Sequence, residues 1–493
     1  MSRRSILIIG GGIAGLSTGC YAQMNGYDTT ILEMHDRPGG MCTSWQRKGY
    51  TFDYCIHNLA GTRPGSGLSQ MWDELGAFKG TDVIDHEVFQ RVESCDGKEF
   101  NLYCDLDRLE RHMKEISPDD SKVIDEFVNA ARSFSKIDFF GMGTGGFKLG
   151  MISKMGKLMK YSKMTIEEFS SKFKDPFLRR AFRTVQYNMS EIPMTVILVF
   201  MSGFDNGDLG WPKGGSFEFS RRIESRFIEL GGEIRYRHKV KRIIVDNNRA
   251  VGVEMEDGSE QFADIVISAA DGYSTIFGML DGRYLNDRIN SYYEAIPKNE
   301  PFGIEVNLGV NRDVSSEPHA ITLLLETPLK IEDREEDSIY LELFDNDSGL
   351  CPKGKGIIKA DLVGSYEYWK ALRTDLERYR AEKDEIARRV IDILEERFPG
   401  LRDQVEVVDV TTPVTCERYT GNLHGYQPWP SKVHTRKVMK EGLSRTLPGL
   451  EGFFMVGQWA GATVGVSTVA LMGRDTIEKL CKMDKKRFVS QIV

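Results

Sequence analysis

Apolar runs and glycine-rich breaks alternate at the start of the sequence. Ser5 to Ile9 is an apolar run, glycines follow between Gly10 and Gly15, and a second apolar run ends just before Glu33. This order predicts a strand, a tight turn, a helix and a second strand. Such a unit is typical of a parallel sheet with helices on its faces.

The glycine spacing in this turn points to a ligand. Gly10 permits the tight turn, Gly12 lets the backbone approach a pyrophosphate, and Gly15 lets the helix pack closely on the strand. The helix N-terminus then faces the phosphates, and Glu33 can accept hydrogen bonds from ribose hydroxyls. The segment therefore predicts dinucleotide binding.

The pattern changes several times further along the chain. Residues 76–207 are rich in Met and Phe and predict mostly helices, whereas residues 211–271 return to short strands, glycine turns and one helix. Alternating strands and a charged helix follow over residues 276–440. Residues 452–479 predict a last strand, a glycine-containing turn and a helix.

These changes predict two domains, both discontinuous in sequence. Residues 1–75, 208–275 and 445–493 are expected to form an α/β dinucleotide-binding domain. Residues 76–207 and 276–444 are expected to form an inserted substrate-binding domain. Within the insertion we predict strands near Gly303–Val310, Ala320–Leu325 and Ser338–Phe344, and a helix whose buried face carries Leu372, Leu376, Tyr379, Ile386, Val390 and Ile393.

Composition excludes several classes of protein. The chain has 493 residues and a formal net charge of -8, which argues against nucleic-acid binding because that function needs a broad cationic surface. The 8 cysteines show neither C-x-x-C spacing nor neighbouring ligand pairs, so we expect reduced thiols, no structural metal and a cytosolic setting. No run of about eighteen apolar residues occurs, so a membrane-spanning helix is not expected.

Motifs in a fixed order extend over nearly the whole chain. They are the glycine turn, Glu33, residues 36–44 with Gly39-Gly40, residues 49–53, Pro212 with Gly214-Gly215, residues 266–271, residues 412–422, and Val456-Gly457-Gln458 with the helix that follows. Together they resemble the FAD-dependent phytoene desaturase, carotenoid isomerase and retinol saturase group of the amine-oxidase-like flavoproteins. The resemblance implies a discontinuous Rossmann-like FAD-binding domain with an inserted α+β substrate domain.

The resemblance also implies which residues contact a non-covalent FAD. They are Gly10, Gly12, Ile13, Ala14, Gly15, Glu33, Met34, Arg37, Gly39, Gly40, Met41, Val240, Ala270, Gly457, Gln458, Gly465 and Val466. Val240 is equally well explained as a core residue of a strand.

Two departures from the group's pattern stand out. The group commonly has Pro-Gly-x-Gly before the last helix, where this chain has residues 462–466, Ala-Thr-Val-Gly-Val. The acid that often follows the terminal glycine in amine oxidases is missing, because Gln458 and Trp459 follow Gly457. The second departure weakens an amine oxidase assignment.

Catalysis on a hydrocarbon needs few side chains, because the flavin carries the hydride. His57 is one candidate, since it follows the cofactor-lining segment and could protonate an intermediate; a structural histidine is the alternative. Glu417 is a second candidate, and an inward-facing ion pair with Arg418 is its alternative.

Residues 148–163 form a basic, Met-rich segment. On a helix, Met151, Ile152, Met155, Leu158 and Met159 share one face while Lys154, Lys157 and Lys160 point away. Such a helix, within a lid region near residues 134–170, could rest on an anionic membrane surface and admit a lipid. A lid or core helix with a solvated lysine face is the alternative.

Three functions remain open. The first is an FAD enzyme that desaturates, saturates or isomerises a hydrophobic polyene such as a carotenoid precursor or retinoid. The second is a flavin amine oxidase, and the third is a non-catalytic flavin-binding escort of lipophilic molecules. The electron donor or acceptor is undetermined, and a cytosolic protein with peripheral membrane contact is expected.

Overall fold

The structure is a computed structural model that describes residues 3–134, 152–294, 299–425, 443–460 and 465–491. Its strands in chain order are β1 (Ser5–Ile9), β2 (Asp28–Leu32), β3 (Ser44–Arg47), β4 (Tyr50–Asp53), β5 (Leu59–Ala60), β6 (Val83–Ile84), β7 (Val88–Ser94), β8 (Glu99–Tyr103), β9 (Leu209–Pro212), β10 (Glu233–Arg235), β11 (Val240–Asp246), β12 (Arg249–Met255), β13 (Glu260–Phe262), β14 (Ile265–Ser268), β15 (Asn299–Val310), β16 (Ala320–Ile331), β17 (Arg334–Phe344), β18 (Gly356–Ser365), β19 (Val405–Thr411) and β20 (Phe453–Met455).

Helices lie between many of these strands in the sequence. In chain order they are α1 (Ile13–Met24), α2 (Gly67–Glu74), α3 (Leu106–Ile116), α4 (Ser121–Phe134), α5 (Ile152–Ser162), α6 (Ile166–Ser170), α7 (Pro176–Arg183), α8 (Met194–Asp205), α9 (Gly215–Glu229), α10 (Asp287–Glu294), α11 (Tyr366–Leu372), α12 (Leu376–Arg397), α13 (Leu401–Gln404), α14 (Pro413–Thr420) and α15 (Val466–Met483).

A five-stranded parallel sheet is formed by segments far apart in sequence. Its order is β10-β2-β1-β14-β20, and every neighbouring pair runs parallel. The central strand β1 is apolar and mostly buried, as expected for a sheet covered on both faces. The predicted α/β Rossmann-like fold class is confirmed.

Helix α1 is buried along its whole length between its neighbours. It packs on α15, where the Ser17 hydroxyl donates a hydrogen bond of 2.7 Å to the Ala470 carbonyl. The two helices approach so closely that an added Cβ at Gly473 would lie 2.8 Å from the Thr18 amide nitrogen. The last helix of the chain thereby stabilises the first.

A seven-stranded sheet, order β19-β15-β18-β17-β16-β7-β8, forms the second layer. One face buries alternate apolar residues, such as Val306 and Leu341, against α12 residues that include Val390. The other face is covered by the first domain: the Tyr50 ring lies 2.7 Å from where a Cβ at Gly309 would be. Both faces of this sheet are therefore buried.

The strands predicted within the insertion are confirmed, and the short strands predicted within residues 211–271 include the antiparallel meander β11-β12-β13. Leu376 is 49% exposed, so its predicted place on the buried helix face is wrong. The helix breaks at residues 373–375 and restarts at Leu376 under an Asp375 cap, which turns this first residue outward.

The prediction that residues 76–207 are mostly helical missed the hairpin β7-β8. Strand β7 extends the seven-stranded sheet by pairing parallel to β16. Its sequence carries Gln90, Arg91 and Glu93 among apolar residues, so it lacks the clean alternation that predicts a strand. Gln90 is nevertheless fully buried, with hydrogen bonds to the Thr184 carbonyl and the Thr322 hydroxyl.

The predicted basic segment lies partly outside the described residues, which resume at Ile152. Within α5, Lys157 and Met159 are exposed, whereas Lys160 forms an ion pair with Glu126 at 2.7 Å. Among the described residues we find no helix with the length and apolar character needed to span a bilayer.

Alanine at Gly473 tests the packing of α1 on α15. We expect Gly473→Ala to lower the free energy of unfolding by about 1–3 kcal/mol, because the new Cβ would overpack against Thr18. Gly156→Ala is the matched control, since an added Cβ there meets no described atom within 4 Å, and we expect it to raise stability by about 0.5–1 kcal/mol. Urea unfolding measures both; equal effects would contradict the close approach.

Candidate active site

The first glycine turn leaves a helix N-terminus open. Gly10 has a φ of +100°, and an added Cβ at Gly15 would lie 2.0 Å from the Gly10 carbonyl oxygen. Helix α1 begins at Ile13, and its N-cap, Gly12, supplies no side-chain hydrogen bond. The first backbone amides of α1 therefore remain available to an anion.

The second glycine pair packs directly on this turn. The Gly39 amide donates a hydrogen bond of 2.9 Å to the Gly11 carbonyl, and Gly12 and Gly39 form an isolated parallel bridge. An added Cβ at Gly12 would lie 3.7 Å from the Gly39 carbonyl oxygen. The two turns thus form a side-chain-free surface, and such a surface fits the pyrophosphate of a dinucleotide.

Glu33 lies at the end of β2 beside the turn. Its carboxylate accepts hydrogen bonds from the amides of Gly11, at 2.6 Å, and His35, at 2.8 Å. Burial raises the pKa of this carboxyl group, and the two amides oppose the shift. The His238 amide donates to the Glu33 carbonyl at 2.9 Å, so Val240, the buried first residue of β11, lies two residues from this contact.

The carboxyl ends of β14 and β20 lie at the same edge of the parallel sheet as the first glycine turn. An added Cβ at Gly10 would lie 3.4 Å from the Ala270 amide nitrogen. An added Cβ at Gly457 would lie 3.5 Å from the Ala14 Cβ. The parallel sheet therefore gathers these four predicted residues around one turn.

Met41 and Gln458 meet on the far side of the second glycine pair. The Met41 sulfur accepts hydrogen bonds from the side-chain amides of Asn422, at 2.9 Å, and Gln458, at 3.9 Å. An added Cβ at Gly421 would lie 3.6 Å from the Met34 methyl carbon. The motif over residues 412–422 therefore lies against the cofactor-lining segment, and Asn422 joins the candidate residues.

The last helix begins with a second uncapped N-terminus. Gly465, with a φ of +107°, is the N-cap of α15, which begins at Val466 without a side-chain cap. The Ser467 hydroxyl donates to the Ala60 carbonyl at 3.1 Å. Arg37 contacts Asp36 at 3.2 Å, donates a hydrogen bond of 3.5 Å to the Ser44 carbonyl and lies over the Phe217 ring at 5.5 Å.

His57 lies between the two domains, in the segment that joins β4 to β5. Its Nδ1 is 2.5 Å from the Glu342 carboxylate on β17, and its ring centroid is 4.8 Å from that of Tyr187. The His57 side chain is 22% exposed, whereas that of Glu342 is 1% exposed. A buried carboxylate therefore orients one ring nitrogen of the sequence-predicted histidine.

A group of buried charges surrounds this pair; we call His57, Glu305, Glu342, Lys359 and Asp361 the charge cluster. The Lys359 ammonium lies 3.1 Å from Glu342, 3.7 Å from Glu305 and 3.8 Å from Asp361. All three acids and the lysine are buried. Strands β15, β17 and β18 are neighbours in the sheet, so the four side chains share the face that the first domain covers.

The cluster separates the pKa values of its acids. Burial raises the pKa of Glu342, but His57 and Lys359 oppose it and hold the pKa well below its usual value. Burial dominates at Glu305 and Asp361 and raises their pKa values. Burial lowers the pKa of Lys359, but its carboxylate neighbours hold it well above the usual value. The Glu342 carboxylate and the Lys359 ammonium thus favour each other's charged form.

Sequence reasoning missed the cluster apart from His57. Glu305, Glu342, Lys359 and Asp361 alternate with apolar residues in their strands, and such alternation predicts a solvent-facing side. The available signal was the alternation itself, and no strand was predicted over β18, which carries Lys359 and Asp361.

Glu417 belongs to a different hydrogen-bonded group. The Tyr366 hydroxyl donates to its carboxylate at 2.6 Å, and the Lys370 ammonium donates to the same hydroxyl at 2.8 Å. Arg418 lies over the Tyr419 ring at 4.5 Å. The structure therefore pairs Glu417 with Tyr366 and leaves His57 with Glu342.

Comparisons with known proteins cover most of the chain. Residues 8–75 match the family model of an NAD(P)-binding Rossmann-like domain. The chloroplastic prolycopene isomerase of Arabidopsis thaliana is 25% identical over 95% of this chain and 81% of its own length. The lycopene-forming phytoene desaturase of a Paracoccus species is 31% identical over 54% of this chain and 55% of its own length.

Solved structures give the same fold. An oxidoreductase from Methanosarcina mazei matches with a TM-score of 0.60 at 17% identity, over 96% of this chain and all of that chain. A putrescine oxidase variant matches with a TM-score of 0.60 at 15% identity, over 98% of this chain and 99% of that chain.

The Rossmann-like family model and the glycine turns define a site for a dinucleotide cofactor, and the curated relatives are named as enzymes. More narrowly, curated relatives that the chain resembles are named prolycopene isomerase, phytoene desaturase and all-trans-retinol 13,14-reductase, in keeping with the resemblance that the order of its motifs predicted.

Asp53 provides a pH test of the interface beside the cluster. Its buried carboxylate accepts hydrogen bonds from the Ser216 amide and hydroxyl, and burial raises its pKa from 3.8 to about 6. Because the folded state then holds its proton longer than the unfolded state, this residue's contribution to the free energy of unfolding falls as pH rises through this range. The expected loss is about 3 kcal/mol.

Asp53→Asn should remove this loss, because an amide does not titrate and can still accept one hydrogen bond from Ser216. The measurement is the difference in free energy of unfolding between variant and wild type from pH 4 to pH 7. Asp73→Asn, at an exposed position, is the control and should leave the wild-type slope in place. A wild-type slope in Asp53→Asn would refute the assignment.

Proposed function

We propose that this protein is an FAD-dependent oxidoreductase that changes carbon–carbon unsaturation in a long hydrophobic polyene or isoprenoid. The observation that carries the proposal is the resemblance, over 95% of the chain, to a protein named prolycopene isomerase. A relative of 22% identity over 85% of the chain is named all-trans-retinol 13,14-reductase. Desaturation, saturation and isomerisation all remain within the proposal.

FAD fits the arrangement of the two open helix ends. The amides at the start of α1 and the Gly39-Gly40 turn would hold the pyrophosphate, Glu33 the ribose, and the start of α15 the flavin. The second glycine pair, Gly39-Gly40, packs on the first turn and lets backbone amides approach the cofactor, which favours an extended flavin dinucleotide over a nicotinamide at the sheet edge. When bound, the flavin supplies hydride transfer to or from the carbon–carbon bond.

The chain's own contribution is orientation and proton control. Glu342 contacts Nδ1 of His57 and thereby orients the imidazole ring for its proposed role in proton transfer. Tyr187 packs on the same ring and receives a hydrogen bond of 3.0 Å from the Asn58 side-chain amide. In this proposal His57 is the proton-handling residue, and Glu342 positions it.

Two further features belong to the proposal. The exposed Lys157 and Met159 of α5 suit contact with a membrane that stores the substrate. Electrons come from or go to a transient partner, a free reductant or the substrate itself, because the sequence has one complete dinucleotide fingerprint.

Valine at Gly12 tests where the pyrophosphate binds. Gly12 has extended backbone angles, φ -71° and ψ 176°, so valine causes no backbone strain there. We expect Gly12→Val to fold but to lose at least nine tenths of its FAD, because its side chain would occupy the phosphate path. Flavin absorbance per protein measures this; Gly278→Val, in open exposed space, is the control. Full flavin content in Gly12→Val would refute the placement.

The reaction itself is tested with polyenes in liposomes. The FAD-loaded protein is mixed with candidate polyenes while the flavin is held either oxidised or reduced, and the visible spectrum of the polyene is followed. A shift to longer wavelength indicates longer conjugation and a desaturase. A shift to shorter wavelength with reduced flavin indicates a saturase, and an altered cis/trans pattern by chromatography indicates an isomerase.

The same assay separates the alternatives. Unchanged polyenes together with peroxide release from amines would establish an amine oxidase and overturn the proposal. Bound flavin that no polyene or amine reduces, and whose reduced form reacts with no acceptor, would leave the non-catalytic escort.

A further inference from the structure

The charge cluster and the neighbouring Asn307 carry side-chain atoms that have no hydrogen-bond partner among the described residues. Neither carboxylate oxygen of Asp361 and neither polar side-chain atom of Asn307 has a hydrogen-bond partner among the described residues. The Glu305 Oε2 atom lacks one as well. Asn307 is 1% exposed and Asp361 is 7% exposed, so bulk water does not replace the missing partners.

These atoms lie together on one face of the sheet. Asn307 on β15 is directly opposite Lys359 on β18, and Glu305 is directly opposite Asp361. Residues 305 and 307 point to the same face because side chains two positions apart in a strand do so. The unsatisfied atoms therefore surround the Lys359 ammonium.

One segment, residues 57–60, contacts both the charge cluster and the start of α15. His57, which contacts Glu342, is three residues before Ala60, whose carbonyl accepts the hydrogen bond from Ser467 at the start of α15. A ligand that reached the start of α15 could therefore extend one end to the charge cluster.

The chemistry of the cluster selects the ligand group. Ligand atoms of His57, Glu342 and Asp361 lie within 4.8 Å of one another, but the Lys359 ammonium at 3.1 Å from Glu342 opposes a second cation there. Three carboxyl groups oppose an anion. The Asn307 side chain has an NH2 group that donates hydrogen bonds and an oxygen that accepts them. The complementary ligand group is therefore neutral and both donates and accepts, as a hydroxyl group does.

We propose that this face binds the terminal hydroxyl group of an isoprenoid alcohol, so that the substrate is a polyene with one polar end. The proposal rests on the proposed function and narrows its substrate class. Asn307 and Asp361 receive the hydroxyl group, and the apolar chain runs towards the cofactor site. Leaving buried donors and acceptors unpaired costs stability, so the bound hydroxyl also satisfies a deficit of the fold.

Direct binding tests this without turnover. Tritiated geranylgeraniol and the hydrocarbon of the same skeleton, with hydrogen in place of the hydroxyl group, are titrated into the full-length FAD-loaded protein at one fixed detergent concentration. The readout is the ratio of the two dissociation constants. We expect wild-type protein to favour the alcohol by about tenfold or more, beyond the difference in micelle partitioning.

Asn307→Leu removes the unsatisfied amide while keeping similar volume. The preference of Asn307→Leu for the alcohol over the hydrocarbon should be about tenfold weaker than that of wild type. Because both proteins are measured at the same detergent concentration, the difference in micelle partitioning cancels from this comparison. The unfolding temperature of Asn307→Leu without ligand should not fall, since an unpaired buried polar group is lost. If the leucine side chain does not fit the space left by asparagine, Asn307→Ala is the second variant.

Thr29→Val is the matched control. The Thr29 hydroxyl is also buried without a described partner, but on β2 in the five-stranded sheet. The ratio of the two dissociation constants in Thr29→Val should equal that of wild type.

Each outcome decides between the two proposals. Hydrocarbon binding without preference for the alcohol, or an unchanged preference in Asn307→Leu, would overturn the hydroxyl site and leave the polyene function standing. Buried water would then be the hydrogen-bond partner of the Asn307 and Asp361 side chains. Failure of both ligands to bind would overturn the hydroxyl site, whereas the polyene function is decided by the spectra of the polyenes in liposomes.

Discussion

The parallel pairing of β1 with β2 and β14 is the constraint on which the site depends. It joins strands from residues 5–9, 28–32 and 265–268, and β20 adds residues 453–455 to the same edge. Because parallel strands present their carboxyl ends together, glycine turns from four distant segments meet there. The insertions between these segments are then free to form a second sheet, and its position over residues 50–60 brings His57 to Glu342.

The charge cluster is the costliest feature of that second sheet. A buried ion pair offsets its desolvation only when its remaining atoms are hydrogen-bonded. Lys359 sits within 4 Å of three acids, while Asn307 and Asp361 lack hydrogen bonds to the described residues. An apolar sheet face would contact a hydrocarbon without the free-energy cost of burying charged side chains. Charges on the face that covers the cofactor-lining segment therefore indicate a function for the charges themselves.

Sequence reasoning reached the first domain because its signals are local. Gly10, Gly15 and Glu33 are recognisable within one strand-helix-strand unit, and the sheet confirms the fold class that they predict. The charge cluster depends on three strands, β15, β17 and β18, being neighbours and on β4 covering them. Alternation along a strand shows that two faces differ, but it does not show whether the polar face meets water or another domain. Gln90 was missed for the same reason, as a polar side chain buried by tertiary contacts.

The two parts of the site place opposite demands on a ligand. The uncapped starts of α1 and α15 favour negative charge, on a phosphate at one end and on a reduced flavin at the other. The charge cluster holds three acids beside one lysine, so it disfavours anions and accepts hydrogen bonds from donors. A substrate lying between them must be uncharged along its length, and only the end that reaches Asn307 can be polar. For the substrate class proposed above, this opposition would give a long substrate a direction in the site, with its polar end at the seven-stranded sheet and its apolar chain towards the cofactor.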